Sequence, residues 1–344
     1  MPESIWSLPL SLALFALAMA MVVIFGLMMT RTAVELAERT GLGEAVMGAF
    51  FVGASTSLPE IATSVTAALE GHADLALSNA IGSVAGQTAF LALVDMTYRR
   101  VNLEHAAASA ENLMLAAFVQ VMLAIPLLGL ALPQTTIGGI HPASILMAAA
   151  YLQGVRMVSQ THKRPMWLPR HTHETRTARQ GEKPGAAAGL PRLWLQFALA
   201  AAMTGVAGWL LARTAIPIAT HTGLSETVVG GLLTGLTGSL PELITALAAV
   251  RMGALTLAVG DILGGNAFDA LIVAFTDWSY PGESVFSAAG SDMLFLLGLT
   301  LLLTAILLMG MLHREKHGIV NIGLESFLVL ILYIGAYTLL LTLA

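Results

Sequence analysis

The sequence contains no cysteine, and only 11% of its 344 residues are charged. The lack of cysteine excludes disulfide frameworks, thiolate metal sites and cysteine nucleophiles. A soluble globular chain has about a quarter charged residues, so this chain has too few to cover a water-exposed surface of its size. The composition therefore excludes a cytosolic enzyme, a disordered protein and a protein that binds nucleic acid.

Long apolar runs take the place of the missing charge. Hydrophobic residues make up 56% of the chain, and the mean hydropathy is +0.79. A helix needs about 20 residues to cross the hydrocarbon core of a bilayer. The sequence predicts an all-α membrane protein with ten transmembrane helices and with lipid around it. The predicted spans lie near residues 8–29, 43–69, 75–96, 113–132, 137–155, 193–211, 224–250, 255–276, 293–312 and 327–344.

The basic residues lie in alternate loops. The loops after the odd-numbered spans hold 15 of the 16 Lys and Arg residues, and Arg213 is the exception. The positive-inside rule then places both termini outside and the basic loop 159–192 in the cytoplasm, and we expect a prokaryotic inner membrane. This loop contains His162, His171 and His173. We favour a plain linker over a metal-sensing or lipid-binding loop, because the histidine spacing has no helical or finger pattern.

The chain repeats itself at an offset of 182 residues. Residues 31–95 align without a gap to residues 213–277, and 24 of the 65 positions are identical. The first half, 1–158, contains the repeated segment 43–95, and the second half, 193–344, contains the segment 225–277. Each half holds five predicted spans, an odd number, so the second copy must cross the membrane in the opposite direction. Inverted repeats of this kind are typical of secondary transporters that work by alternating access.

Both copies carry Ser-Leu-Pro-Glu near the middle of a predicted span, which places Glu60 and Glu242 at matching depth. A single charge at the centre of a membrane helix costs about 2.5–3.5 kcal/mol on insertion scales. A bound cation is the expected compensation for two such carboxylates. Pro59 and Pro241 each remove a helix hydrogen bond, and the carbonyl that this frees is tolerated where it lines a cavity.

Further candidate oxygen ligands lie on the helix face of Glu60 and on two other predicted spans. Thr56 and Ser57 lie one turn before Glu60. The third span has an i, i+4, i+8 stripe of polar residues, and the eighth span has the matching stripe. The two stripes consist of Asn79, Ser83 and Gln87, and of Asp261, Gly265 and Asp269. Oxygen ligands without thiolates or clustered histidines suit hard cations such as Na⁺, Ca²⁺, Mg²⁺ or Mn²⁺.

A second pair of repeated acids, Asp95 and Asp277, lies near predicted span ends. We interpret these two residues as interfacial, with Arg99 and Arg100 as candidate partners of Asp95. They are therefore not part of the predicted cation site.

The two polar segments resemble the alpha repeats of the cation/calcium antiporter superfamily, and most closely its sodium/calcium exchanger branch. The matching residues are 53–60 with 79–87, and 235–242 with 261–269. The resemblance implies that Glu60 and Glu242 ligate Ca²⁺ and that Gln87 and Asp269 line the centre. It implies a role in flanking Na⁺ sites for Thr56, Ser57, Ser83 and Ser239. Asn79 and Asp261 complete the candidate ligands.

The sequence departs from the family pattern at several of these positions. Gly238 replaces an expected threonine, and Gly265 replaces an expected serine. Asparagine is usual at three further positions, which here are Val84, Gln87 and Asp261. These departures concern the transported ions and their stoichiometry, and they do not concern the fold.

The sequence thus predicts an antiporter that exchanges Ca²⁺ or a similar divalent cation for Na⁺. Exchange for H⁺ is the first alternative, because two hydroxyls are missing and Asp261 adds a carboxylate. A passive cation channel is a further alternative, since it could also use central carboxylates. We expect no enzyme activity, no catalytic residue and no cofactor besides the transported ions. The sequence leaves the oligomeric state open, and a monomer is compatible with it.

Overall fold

The computed structural model describes residues 6–40, 53–98, 101–107, 109–131, 135–163, 168, 189–315 and 323–343. Nearly all of the regular structure in these ranges is helical. A single β-bridge between Ile137 and Ile140 is the only strand-like pairing in the described part of the chain. The predicted all-α class is confirmed.

We number the helices of the described residues in chain order. They are α1 Leu8–Thr40, α2 Leu58–Leu69, α3 Ala73–Thr97, α4 Leu103–Ala106, α5 Ala110–Ala131, α6 Pro142–Lys163, α7 Leu190–Thr222, α8 Glu226–Gly238, α9 Leu240–Arg251, α10 Leu255–Ser279, α11 Val285–Ala288, α12 Ser291–His313 and α13 Leu324–Leu343.

Seven helices of the described residues are long and apolar enough to cross a membrane: α1, α3, α5, α7, α10, α12 and α13. The bent pair α8 and α9 raises the number to 8 if it forms one broken span. The protein is therefore a multi-pass membrane protein. Helix α2 is too short to span alone, and residues 41–52 before it lie outside the described residues, as does most of the basic loop 159–192. The count of ten spans stays a prediction.

The chain bends in front of each central glutamate. Helix α2 begins after a turn at Ser57 and helix α9 after a turn at Ser239, and both have proline in their first turn. Proline is tolerated there because the first amides of a helix have no intrahelical acceptor. Helices α8 and α9 meet at 44°. A new helix therefore begins just before each proline, and the glutamate lies in the first turn after the bend.

The two halves pack into each other through glycines at equivalent positions. Helix α1 packs along α7. A Cβ atom at Gly208 would lie 2.5 Å from the carbonyl oxygen of Pro59, and one at Gly26 would lie 2.8 Å from Cγ of Pro241. Gly26 and Gly208 are 182 residues apart, as are the two prolines. The same close approach between a bend and the opposite half thus occurs twice.

Asp95 joins the two halves at one end of the bundle. Its Oδ1 accepts a 2.6 Å hydrogen bond from the amide of Leu103, the first residue of α4. Its Oδ2 accepts a 3.0 Å hydrogen bond from the amide of Gly323, just before α13 in the second half. The predicted partners, Arg99 and Arg100, lie outside the described residues.

Asp277 makes the equivalent contacts 182 residues later. Its Oδ1 accepts from the amide of Val285, the first residue of α11, at 3.1 Å. Its Oδ2 accepts from the amide of His141, just before α6 in the first half, at 2.9 Å. Both aspartates are buried, so they hold loops between the halves and do not face solvent as an interfacial residue would.

Helices α3 and α10 lie at the centre of the bundle. The apolar window of α3 is 94% buried and that of α10 is 78% buried, whereas the windows of the outer helices α1, α7 and α13 are about one-third buried or less. The two central helices pack on each other and on the helices that follow the bends. The polar stripes of the third and eighth spans therefore point into protein and not into lipid.

Candidate cation-binding site

Glu60 and Glu242 are fully enclosed at the two bends. Glu60 is 0% exposed to solvent and Glu242 is 1% exposed. Oε1 of Glu60 accepts a 3.2 Å hydrogen bond from the hydroxyl of Ser239. Its Oε2 and both oxygens of Glu242 have no donor among the described residues. Burying an ionised carboxylate without donors is costly unless an opposite charge compensates it. These three oxygens are therefore available to a cation.

Gln87 and Asp269 meet between the two bends. Nε2 of Gln87 donates to Oδ2 of Asp269 at 2.6 Å and lies 3.1 Å from the hydroxyl of Ser239. Ser57, the counterpart of Ser239, lies beside Asp269. Oδ1 of Asp269 and Oε1 of Gln87 have no donor within the described ranges. The structure thus brings together the residues that the resemblance placed at the centre.

The site is rich in negative charge. Glu60, Glu242 and Asp269 lie close enough to repel one another. Where the structure describes the chain, its ion pairs with Lys, Arg or His involve other acids, such as Glu35 with Arg39 and Glu70 with Arg213. Three enclosed carboxylates without a basic partner form a site suited to cations.

Hydroxyl and carbonyl oxygens lie next to the carboxylate of Glu60. The carbonyl oxygen of Gly235 accepts from the hydroxyl of Ser239 at 2.9 Å and from that of Ser83 at 3.3 Å. Ser83 also donates to the carbonyl oxygen of Asn79 at 2.8 Å. Together with Oε1 of Glu60, these atoms form a group of hard oxygens from both halves, the type of ligand that Na⁺ and Ca²⁺ prefer.

Asn79 links the start of α2 to α3. Its Nδ2 donates to the carbonyl oxygen of Glu60 at 3.2 Å and to the hydroxyl of Ser64 at 2.8 Å. The amide therefore fixes the position of the Glu60 backbone. Its Oδ1 has no donor in the part of the chain that the structure describes.

Two predicted site residues have contacts apart from this centre. Thr56 donates to the carbonyl oxygen of Gly53 in its own turn at 2.9 Å. Asp261 is only half-buried, and its Oδ2 lies 3.4 Å from the hydroxyl of Thr245, which itself donates to the carbonyl oxygen of Glu242 at 2.9 Å. Asp261 thus lies beside α9, where it is the charged counterpart of Asn79.

The two glycines that depart from the family pattern both face the centre. A Cβ atom at Gly238 would lie 2.8 Å from Oε1 of Glu60 and 2.9 Å from its Cδ, closer than such contacts allow. A Cβ atom at Gly265 would lie 3.2 Å from Oε1 of Gln87. The space that a threonine would need at position 238 is therefore taken by the Glu60 carboxylate.

Asn266 is a buried polar residue that the predicted ligand set did not include. It is 0% exposed, and its Nδ2 donates to the hydroxyl of Thr88 at 3.2 Å. Its Oδ1 has no donor within the described residues. Its place directly after Gly265, within the polar stripe of the eighth span, was the available signal.

Comparison with known proteins shows the family of the chain. The model of the family described as sodium/calcium exchanger protein matches residues 10–158 and 192–343, which is most of the chain. The chain belongs to the sodium/calcium exchanger protein family. This chain is 29% identical over 315 residues to CaxA of Alkalimonas amylolytica, an antiporter by name, with 88% of this chain and 89% of CaxA covered.

Solved structures share the fold of this chain. The H⁺/Ca²⁺ exchanger CAX matches with a TM-score of 0.64 at 12% identity, over 97% of this chain and 85% of that chain. The sodium-calcium exchanger NCX_Mj matches with a TM-score of 0.54 at 19% identity, over 96% of this chain and 99% of that chain. Their bound ions and coupling are properties of those two proteins.

Proposed function

We propose that this protein is a secondary antiporter that exchanges Ca²⁺ or a similar divalent cation for Na⁺. The observation that supports this most is the pair of enclosed glutamates, Glu60 and Glu242, with three carboxylate oxygens that receive no hydrogen bond in the described part of the chain. Asp269 adds a third carboxylate beside them. Ca²⁺ takes six to eight oxygen ligands, often from several carboxylates, and this centre supplies oxygens of that type.

Exchange requires that the same site opens to either face in turn. We infer that the two five-helix halves, inverted with respect to each other, rock around the fixed site. The repeated contacts of Pro59 with Gly208 and of Pro241 with Gly26 support two equivalent bends that can alternate. Transporters built from inverted repeats place their sites at broken helices in this way.

The hydroxyl groups beside Glu60 favour Na⁺ as the counter-ion. The hydroxyls of Ser83 and Ser239 and the carbonyl of Gly235 lie next to Oε1 of Glu60. Partly dehydrated Na⁺ needs several oxygens of this kind. In this proposal, Na⁺ and the divalent cation compete for Glu60, and each therefore leaves when the other binds.

H⁺ is the second candidate counter-ion. The observation in its favour is that position 238 is a glycine and supplies no hydroxyl. A hydroxyl is missing there because the Glu60 carboxylate occupies the space. A site with three carboxylates and fewer hydroxyls could bind a proton in place of Na⁺. CAX, which has the same fold, is an H⁺/Ca²⁺ exchanger by its title.

Uptake of radiolabelled Ca²⁺ into proteoliposomes distinguishes these candidates. An outward Na⁺ gradient at equal pH should drive uptake if Na⁺ is the counter-ion, and a proton gradient without Na⁺ should drive it if H⁺ is. The control is liposomes that contain Glu60→Gln protein. Ca²⁺ entry down its own gradient, with no counter-ion on the opposite side, would instead support a passive channel and contradict antiport.

We also propose the membrane orientation that the basic loops predict, with both termini outside and loop 159–192 in the cytoplasm. The protein has no cysteine, so single introduced cysteines can be labelled without background. A cysteine in the loop should react with a membrane-impermeant thiol reagent only after cell lysis, and one at Ser7 should react in intact spheroplasts. The reverse pattern would contradict the orientation.

A further inference from the structure

A cluster of possible metal ligands lies where α12 ends and α13 begins. His313, Glu315 and Glu325 each offer one ligand atom, and these atoms lie within 4.8 Å of one another. Nδ1 of His313 is 3.5 Å from Oε1 of Glu325. None of these three residues belongs to the transport site at the bends.

A buried carboxylate from the other half, that of Glu104, lies near Glu325 of this cluster. Glu104 in α4 is 5% exposed, and its Oε1 accepts a 2.5 Å hydrogen bond from the hydroxyl of Ser326. Its Oε2 has no donor among the described residues. This oxygen lies 3.3 Å from the position that a Cβ atom of Gly323 would take, and Oε2 of Glu325 lies 3.4 Å from the same point. The unsatisfied oxygen of Glu104 and Oε2 of Glu325 therefore border the same space beside Gly323, as does Nδ2 of Asn102 at 3.5 Å.

An arginine between two of these residues bonds to the backbone of α4. Arg314 lies between His313 and Glu315 in sequence, and its guanidinium donates to the carbonyl oxygen of His105 at 3.2 Å. His105 in turn contacts the carbonyl oxygen of Arg314 through Nδ1 at 2.7 Å. Arg314 thus ties the end of α12 to α4, which holds Glu104 beside the cluster.

Within the described residues, the cluster has no equivalent at the other end of the bundle. The repeat counterparts of Glu104, His313 and Glu325 are Phe286, Ala131 and Ala143, which cannot bind a metal ion. The backbone contacts of Asp95 and Asp277 are the same at both ends, whereas the ligands are not. The backbone contacts that hold each end of the bundle together therefore do not require these side chains.

We propose that His313, Glu315, Glu325 and Glu104 form a second metal site, which binds a divalent transition metal of the Zn²⁺ class. One imidazole nitrogen combined with carboxylate oxygens suits Zn²⁺ or Mn²⁺, while Ca²⁺ prefers oxygen ligands alone. Glu104 belongs to the first half and the other three residues to the second. A bound ion therefore links the two halves and holds that end of the bundle together.

The test is a titration of the purified full-length chain with ZnCl₂ by isothermal calorimetry. The parent protein carries Glu60→Gln and Glu242→Gln, which removes two of the three central carboxylates and disables the proposed transport site, so the result does not depend on the proposed transport function. His313→Ala should abolish one equivalent of bound Zn²⁺, and Glu104→Gln should weaken that equivalent by about tenfold or more, as loss of a supporting group at a metal site does. His221→Ala, which removes an exposed histidine of α7, is the matched control and should change nothing.

Melting temperature is the second readout. A ligand that binds only the folded protein raises its stability. Zn²⁺ should raise the melting temperature of the parent and of His221→Ala more than that of His313→Ala. The side chain of His313 is 71% exposed, so its loss should not impair folding. The proposal is overturned if His313→Ala and Glu325→Gln both retain the stoichiometry and affinity of the parent.

Discussion

Gln87 donates a 2.6 Å hydrogen bond to Asp269, the residue at the equivalent position of the other repeat. Two residues 182 positions apart can meet in this way only where the two halves face each other around a common centre. One member of the pair is an amide and the other a carboxylate, so the amide neutralises none of the charge. The centre therefore holds three carboxylates.

Asp269→Asn should weaken divalent binding while leaving the protein folded. Asparagine still offers an oxygen to Nε2 of Gln87, so the hydrogen bond at the centre can persist. The site loses one of its three negative charges, and we expect the affinity for Ca²⁺ to fall by about tenfold, or about 1.4 kcal/mol. Calorimetric titration of the purified variant with Ca²⁺ checks this. Unchanged affinity would show that Asp269 does not act on the ion.

Gly238→Ala should impair divalent binding more than Gly265→Ala does. The added methyl group at position 238 would meet Oε1 of Glu60 at 2.8 Å and push the carboxylate out of place, whereas at position 265 the nearest atom is 3.2 Å away. Melting temperatures of the two variants report any general damage to the fold. Equal Ca²⁺ affinities in the two variants would contradict the claim that Ca²⁺ binding depends on the position of the Glu60 carboxylate next to Gly238.

The repeat marks the polar residues that the structure brings together at the centre, so their positions could be predicted from the sequence. Glu60, Glu242, Gln87 and Asp269 each coincide with a counterpart in the offset alignment, and a charge within an apolar span requires an explanation. The roles of Asp95 and Asp277 could not be predicted in the same way. Their donors, Gly323 and His141, come from the opposite half, and backbone amides leave no trace in the sequence.

The sequence also could not predict what fills the space of the missing hydroxyl at Gly238. A glycine in place of threonine indicates lost ligands when it is considered alone. The structure shows the Glu60 carboxylate in that space, a contact between the two halves that depends on how α8 and α2 approach. Spacing along one helix predicts which residues share a face, but it does not predict which side chain from the other half fills a gap.

Asp277→Asn should destabilise the protein by about 2–4 kcal/mol, since hydrogen bonds to charged groups contribute about 1.5–3 kcal/mol each. Its carboxylate accepts from the amides of Val285 and His141 and from the hydroxyls of Ser284 and Ser144. An asparagine amide would present hydrogens to half of these donors. Thermal unfolding in detergent measures the loss. Asp292→Asn, on the exposed first turn of α12, is the control and should melt like the wild type.

The contact of His72 with Glu226 should stabilise the protein at low pH only. Nδ1 of His72 lies 2.6 Å from Oε1 of Glu226, and this hydrogen bond raises the pKa of His72 above its usual value. A histidine with a raised pKa contributes stability that is fully present below the unfolded pKa of 6.5 and is lost as the pH rises through the folded value. Both residues are about one-third exposed, so we expect less than about 1 kcal/mol.

The measurement for this pair is the melting temperature of the wild type and of His72→Asn at pH 6 and pH 9. The variant should melt below the wild type at pH 6 and should match it at pH 9. Glu226→Gln is the matched variant and should reproduce this pattern. A deficit in His72→Asn that is equally large at both pH values would show that the contact does not depend on the charge of the histidine.

The central claim is that the two buried glutamates hold the transported divalent cation. Glu60→Gln and Glu242→Gln retain the shape of the side chain, and removing an uncompensated buried charge should not lower stability. The most direct test is uptake of radiolabelled Ca²⁺ into proteoliposomes loaded with Na⁺, with wild type and each variant reconstituted in equal amount. We expect uptake by the wild type, and none above empty liposomes by either variant at an unchanged melting temperature. Uptake at the wild-type rate by either variant would contradict the claim.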